Sequence, residues 1–442
     1  MGLHRRLASQ STVIFAVRIF GAALVFLVQA LLARYWGAEV LGEYLLIVAT
    51  VNLVAVAMPL GFHTVGTYFS AEYRARGDRR RLKIFLFNAY GHVLGAMAVL
   101  LIFGHYVLDW VGAGNTTLAA HFVPASLLAF GTATIFVNGA ALVGLKRPYA
   151  GFFADTMFRP LTLIAAFLIG ATFFATPDEG FSAMLWVVSV GYCCVALVHF
   201  GFVMFTLPRV GDTAEPGPSH RPRWWRFAMP WVLVSLATDF FFDIDLLLLS
   251  SHLSREELAV FGVCTRIFSL VSFGVAAVYA VTLPDIFESE ANADRSGFNR
   301  KLGDANLVAS GLAVLLLVLT AIGGPLALTI FGPTFVNGSL PLVVLCLALV
   351  VRSAMGPASL VLSIHDRPYA SLPAIVLALG SLLLGNYLLV PPFGLMGAAV
   401  AALISITLWS VALWAVALKT AHIDVSIMQW FRRGEVVAKP AE

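Results

Sequence analysis

One pattern constrains this chain before any other: long apolar runs, each about the length needed to cross a hydrocarbon layer, recur along it with short connections between. A spanning helix needs about 20 mostly apolar residues. Twelve runs meet that length: 12–33, 40–62, 84–108, 119–143, 150–174, 181–207, 228–250, 258–283, 303–323, 338–362, 369–390 and 395–418. They are continuously apolar and do not alternate, which predicts helices rather than a barrel. The residue budget agrees. The chain is 60% hydrophobic and only 12% charged, with a mean hydropathy of +0.89, whereas a soluble domain carries about a quarter charged residues. The first run follows a basic start, as a signal peptide would, but it is too long and has no clean small-residue cleavage site. It reads as the first span.

The connections give an orientation, because cytoplasmic loops carry an excess of Lys and Arg. With the N-terminus cytoplasmic, 22 of the 28 Lys and Arg residues fall in the cytoplasmic segments and only Arg34 and Arg255 on the opposite side. An incorrect helix count would scramble that alternation. Twelve is even, so both termini are expected in the cytoplasm. The net charge of +4 is too small to suggest nucleic acid. The four cysteines, Cys193, Cys194, Cys264 and Cys346, lie in apolar runs without metal-ligand spacing and read as small apolar fillers.

A repeat divides the chain. "LKRPYAGF" at Leu145–Phe152 is echoed by "HDRPYASL" at His365–Leu372, and "WGAEVLGEY" at Trp36–Tyr44 by "LSREELAVF" at Leu253–Phe261. Both RPYA copies open a helix after a cytoplasmic turn, where Pro fits the first helical position and Arg and Tyr suit the headgroup level. Two halves of six helices each keep one orientation, which is a parallel repeat about an axis along the membrane normal. The expected fold is an all-α integral membrane protein of twelve transmembrane helices in two six-helix bundles around a central cavity. The bundles are 1–207 and 228–442, the latter with a short cytoplasmic tail. The Pro/Gly-rich stretch 208–227 reads as a flexible linker ending in "WWRF" at the interface.

Charges inside spans cost about 3 kcal/mol each on insertion scales and face a cavity or a partner. This chain has Arg18, Asp155, Arg159, Asp239, Asp243, Asp245, Arg266 and Arg352. Asp155 and Arg159 are four apart and can pair with each other, so they read either as a structural pair or as part of a site. Asp239 and Asp243 share a helix face on the same spacing, and Asp239 reads as the deepest carboxylate, suited to a proton-linked role or to a salt bridge with Arg266 or Arg18. The four cations are all Arg, whose planar fork binds phosphate oxygens bidentately. A cavity lined by Arg18, Arg159, Arg266 and Arg352 suits an anionic, phosphate-bearing substrate. His63 follows the break "MPLGFH" and can reach a cavity mouth, though a lone His is more often structural; His92, His121 and His199 form no ligand set.

Several stretches resemble a known family. "LLARYWGAEVLGEYLLIVATVNLVAVAMPLGF", with Arg34, Tyr35, Gly37, Gly42, Tyr44 and Gly61, is similar to the opening of the polysaccharide and O-antigen flippases of the multidrug/oligosaccharidyl-lipid/polysaccharide exporter superfamily. Asp245 and Arg266 match that family's second half, and Pro391–Ser405 its turn into helix 12; Ser250 and Phe261 depart from it, standing where Gly and Tyr are commoner. The resemblance implies a transporter of the bacterial inner membrane, not an enzyme. It would export a lipid-linked oligosaccharide, commonly on undecaprenyl pyrophosphate, by alternating access for O-antigen or lipopolysaccharide synthesis. It would use no cofactor beyond a possible coupling ion, H+ or Na+, and would work as a monomer in the lipid bilayer, with a polysaccharide polymerase as a possible partner. Three other readings stay open, one of them a lipid II flippase, a group this chain resembles less because its members carry two further helices. A cation-coupled drug antiporter of the same superfamily should carry carboxylates without competing cations in its first half. A membrane-embedded glycosyl- or acyltransferase should carry larger outer loops than "DWVGAGNTT" and "TPDEG".

Overall fold

The computed structural model describes residues 3–110, 116–209, 221–291, 295–364, 368–420 and 422–431. Every regular element among them is a helix. In chain order these are α1 (Leu3–Tyr35), α2 (Ala38–Ala57), α3 (Phe62–Ala75), α4 (Arg79–Trp110), α5 (Phe122–Gly144), α6 (Pro148–Phe173), α7 (Pro177–Thr206), α8 (Arg221–Asp239), α9 (Phe241–Leu249), α10 (Arg255–Ala291), α11 (Arg295–Thr329), α12 (Ser339–Met355), α13 (Ala358–Ile364) and α14 (Leu372–Thr420). Shorter one-turn pieces lie between them.

Ten helices among the described residues are long and apolar enough to cross a membrane. All twelve sequence-read runs are helical over most of their length. The smaller number arises because α14 contains two of them, joined across a kink at Gly394 (φ 53°) beside Pro391 and Pro392, and because the run 228–250 is broken at Phe240 into α8 and α9. Proline removes a backbone donor and crowds the preceding turn, so a bend there is expected.

Two further breaks were less legible. The run 40–62 ends at Ala57, and Gly61 then caps α3 in the left-handed region, φ 83°. The run 338–362 stops at Met355, with Gly356 at φ 76° ahead of Pro357. Other helix starts follow local rules. Pro148 and Pro177 occupy first-turn positions. The Thr176 hydroxyl accepts from the Glu179 N–H at 3.3 Å. Ser254 and Glu257 form a reciprocal capping box at α10: the Ser254 N–H donates to Glu257 Oε2 at 2.9 Å and the Glu257 N–H to Ser254 Oγ at 3.2 Å.

The chain divides into two compact units, Met1–Leu247 and Leu248–Glu442. In the first, α8 packs on α3, and the "WWRF" segment explains why. Trp224 is buried within an aromatic cluster with Phe62, Phe69, Tyr73 and Phe85, and its indole N–H donates to the Tyr73 hydroxyl at 2.7 Å. Arg223 Nη1 donates to Glu72 Oε1 at 2.8 Å and Nη2 to the Tyr68 hydroxyl at 3.0 Å. The Glu72 hydrogen bond holds the Arg223 guanidinium above its ordinary value. Linker residues 210–220 lie outside the described residues.

In the second unit the short tail expected after helix 12 is not simply solvent-facing. Ile423, Asp424, Val425 and Ser426 are buried. Asn306 Nδ2 on α11 donates to the Val425 carbonyl at 2.6 Å, Trp414 Nε1 on α14 to Asp424 Oδ1 at 2.9 Å, and the Ile427 N–H to the Ala354 carbonyl at 2.8 Å. The strap therefore joins α11, α12 and α14 near the α12–α13 break. Residues 432–442 lie outside the described residues.

Candidate functional site

The first unit contains the denser cluster of interior charge. Its foundation is an irregularity in α6. Residues Ala154–Phe158 form a single π-helical turn, ended by Pro160. Pro160 has no N–H to donate, and the preceding turn widens. Such π-bulges inside helices often mark functional positions. Gly21 on α1 packs against the Thr156 carbonyl within the bulge, so closely that a β-carbon there would collide with it.

The bulge carries Asp155 and is followed directly by Arg159. The two side chains form an ion pair, Arg159 Nη1 to Asp155 Oδ1, as the four-residue spacing predicts. The environments of the partners differ. The Arg159 side chain is 16% exposed and the Asp155 side chain 43%. Arg159 lies over the Tyr192 ring at 4.8 Å and the Phe136 ring at 5.8 Å, with the Thr132 hydroxyl at 3.4 Å. Burying a guanidinium is tolerable only with such compensation; the carboxylate supplies charge and the aromatic faces supply their negative quadrupole. His63 stacks on Phe136 itself, with ring centroids 5.9 Å apart and planes 29° apart, and Phe240 approaches Phe136 at 6.5 Å. His63 thus has a packing role beside the charged pair.

The carboxylates after the linker fall in an order that differs from the sequence reading. Asp239 ends α8 and is exposed, whereas Asp243 is 6% exposed and Asp245 is 0%. Asp239 is therefore not the deepest of the three. The helix break at Phe240 also separates Asp239 from Asp243, so the shared face inferred from their spacing is interrupted. Asn52 Nδ2 on α2 donates to Asp243 Oδ2 at 3.0 Å, which gives this buried carboxylate a fixed polar partner.

Arg18 is exposed on α1, one turn before Gly21. In the second unit, Arg266 is half-buried on α10, and Arg352 is exposed at the end of α12 with its guanidinium 5.6 Å from the Trp409 ring centroid. The structure therefore brings Asp155 and Arg159 together in the first unit; Arg352 belongs to the second. Sequence reasoning missed Tyr192, Phe136, Thr132, Asn52 and Trp409. Each is an ordinary residue in an apolar run, and only the fold shows that it sits on one of these charges. Among the described residues, no group of His, Cys, Asp and Glu could hold a metal ion.

No family model matches the sequence, and no curated protein matches it. The fold does match solved structures. The inward-facing conformation of a multidrug resistance MATE family transporter of the MOP superfamily superposes with a TM-score of 0.75 at 15% identity, covering 92% of this chain and 98% of that one. The lipid II flippase MurJ in an inward closed conformation gives a TM-score of 0.69 at 13% identity, covering 97% and 94%. A MOP superfamily transporter from Pyrococcus furiosus, described as having a binding pocket of reverse polarity that suggests a different function, gives 0.64 at 14% identity, covering 92% and 94%. The chain has the fold of MOP superfamily transporters: an all-α, multi-pass membrane protein.

Proposed function

We propose that the protein is a flippase that moves a lipid-linked oligosaccharide across a bacterial cytoplasmic membrane by alternating access, for cell-surface polysaccharide synthesis. The substrate class is a sugar repeat unit on undecaprenyl pyrophosphate, and both chain termini are cytoplasmic. The two bundles, 1–207 and 228–442, work within one monomer that delivers to a polysaccharide polymerase.

The observation that carries this reading is the asymmetry of the Asp155–Arg159 pair. A guanidinium largely removed from water keeps its counter-charge only through a carboxylate that is itself accessible. A diphosphate can take the place of that carboxylate on the Arg159 fork, two oxygens to two N–H groups. Asp155 then serves as a stand-in anion that keeps the site neutral when empty. Arg18 in the first unit, and Arg266 and Arg352 in the second, supply further positive charge. The fold is shared with a lipid II flippase and with a MOP superfamily transporter described as having a binding pocket of reverse polarity.

One observation favours a second reading. Asp243 and Asp245 are buried carboxylates in the first unit, and a cation-coupled multidrug antiporter of the same superfamily would use such groups for H+ or Na+. In the flippase reading they, with Asp239, carry the coupling ion that resets the transporter.

The test is transport in proteoliposomes with a labelled undecaprenyl-pyrophosphate sugar in one leaflet. Wild type is expected to move the lipid, and Arg159→Ala to move it at least tenfold more slowly. Arg159→Lys keeps the charge but loses the fork and the ring stacking, so it should recover only part of the rate. Arg18→Ala and Arg352→Ala should each reduce it less. Equal rates in all four variants would remove the arginines from the mechanism. Exchange of a cationic dye for protons, with no lipid movement, would establish the antiporter.

A further inference from the structure

The first RPYA turn has a use that transport does not explain. Residues Leu145–Arg147 close α5 with two backbone bonds, Lys146 N–H to the Val143 carbonyl at 3.0 Å and Arg147 N–H to the Leu142 carbonyl at 2.8 Å. That is the Schellman pattern, in which the residue after the helix is left-handed and usually glycine. Here it is Lys146, at φ 60°. A side chain in that conformation is strained where glycine is not. The lysine therefore does not serve the stability of the turn.

Immediately beside this turn, a cavity of about 450 Å³ runs between α6 and α7. Its walls include Phe153, Phe158, Cys194, Val198 and Phe202. His199 also lines it; its Nε2 bonds the Ala150 carbonyl at 2.8 Å, which ties the RPYA segment to α7. Basic residues flank it along the chain: Lys146 and Arg147 are exposed one turn before Ala150, and exposed Arg209, three residues past α7, stacks on Phe205 at 4.5 Å. No carboxylate lines the groove among the described residues, and neighbouring Asp155 is paired with Arg159. His199 lies seven residues before the end of α7, or about 10 Å at 1.5 Å per residue. The groove thus comes within about 10 Å of the end of α7, and Ala150, bonded to His199, sits one turn from Lys146 and Arg147.

We infer that this groove is a binding site for an anionic glycerophospholipid of the surrounding bilayer. Its phosphate is held by Lys146, Arg147 and Arg209 and one acyl chain is laid between α6 and α7. Basic pockets between spanning helices recognise anionic headgroups in this way. An apolar channel alone would accept any alkyl chain; the three flanking cations select for negative charge. The occupied groove would brace the π-bulge, because Ala154 and Phe158 belong both to the bulge and to the groove wall.

The experiment is native mass spectrometry of the purified full-length protein, released from detergent after incubation with equal amounts of phosphatidylglycerol and phosphatidylcholine. Wild type is expected to retain phosphatidylglycerol preferentially. Lys146→Gly, Arg147→Gln and Arg209→Gln should each lower its retention about fivefold, and the triple variant should abolish the preference. Lys146→Gly should melt no lower than wild type, since it relieves the turn, so its loss of lipid cannot be ascribed to misfolding. Val198→Trp, at a 64% exposed position on the groove wall, should reduce retention of both lipids. Undiminished preference in the triple variant would overturn the inference. So would stoichiometric displacement of phosphatidylglycerol by undecaprenyl pyrophosphate, which would assign the groove to a prenyl carrier. The substrate reading is tested separately by transport, and either can fail alone.

Discussion

At the scale of single residues, the interior charges are not interchangeable. Arg159 has a carboxylate and two aromatic faces; Asp243 has an amide. A buried acceptor stripped of its donor costs about 1–3 kcal/mol, whereas removing both members can be nearly neutral. Asn52→Leu is therefore expected to lower stability by about 1–3 kcal/mol, and the double variant Asn52→Leu, Asp243→Leu to cost less than the single one. Thermal unfolding in detergent would check the order. If the double variant is the less stable, Asp243 depends on something other than Asn52.

At the scale of the helices, function and irregularity coincide. The π-turn, the Phe240 break, the Gly61 cap and the Gly356 break all interrupt runs that the sequence presents as continuous. Gly61 has two reasons to be glycine: a φ of 83°, and the Ala228 carbonyl lying where a β-carbon would go. Gly61→Ala should cost more than the roughly 1 kcal/mol of a left-handed alanine alone, because α8 must also move off α3. A melting temperature equal to wild type would mean that α8 is not held there. At α10, Ser254→Ala removes the reciprocal cap and should cost about 1 kcal/mol, with Ser254→Asp restoring most of it.

At the scale of the whole chain, each unit is closed by a segment outside its bundle of spans. Trp224 and Arg223 fasten α8 to α3 in the first, and the strap 423–427 joins α11, α12 and α14 in the second. Removing residues 422–442 leaves the Asn306 amide without its Val425 acceptor and uncovers the α12–α13 break. The truncated protein should insert in the membrane normally, yet become susceptible to proteolysis near 356 and melt lower. Unchanged protease resistance would show that the strap is dispensable.

Much of this was legible without coordinates. Hydrocarbon thickness fixes the length of a span, and water's absence there forces each span to be a helix, so twelve apolar runs determined an all-α membrane fold. The four-residue spacing of Asp155 and Arg159 determined their pairing, because helix geometry is local. What the sequence could not determine was depth and company. Asp239 reads as deeper than Asp243 along a continuous helix, but the break at Phe240 reverses their exposure. Tyr192, Phe136 and Asn52 look like any residues in an apolar run until α2, α5 and α7 are packed around α6 and α9. Burial and partnership are properties of the space between helices, which no single helix encodes, and only the tertiary structure decided them.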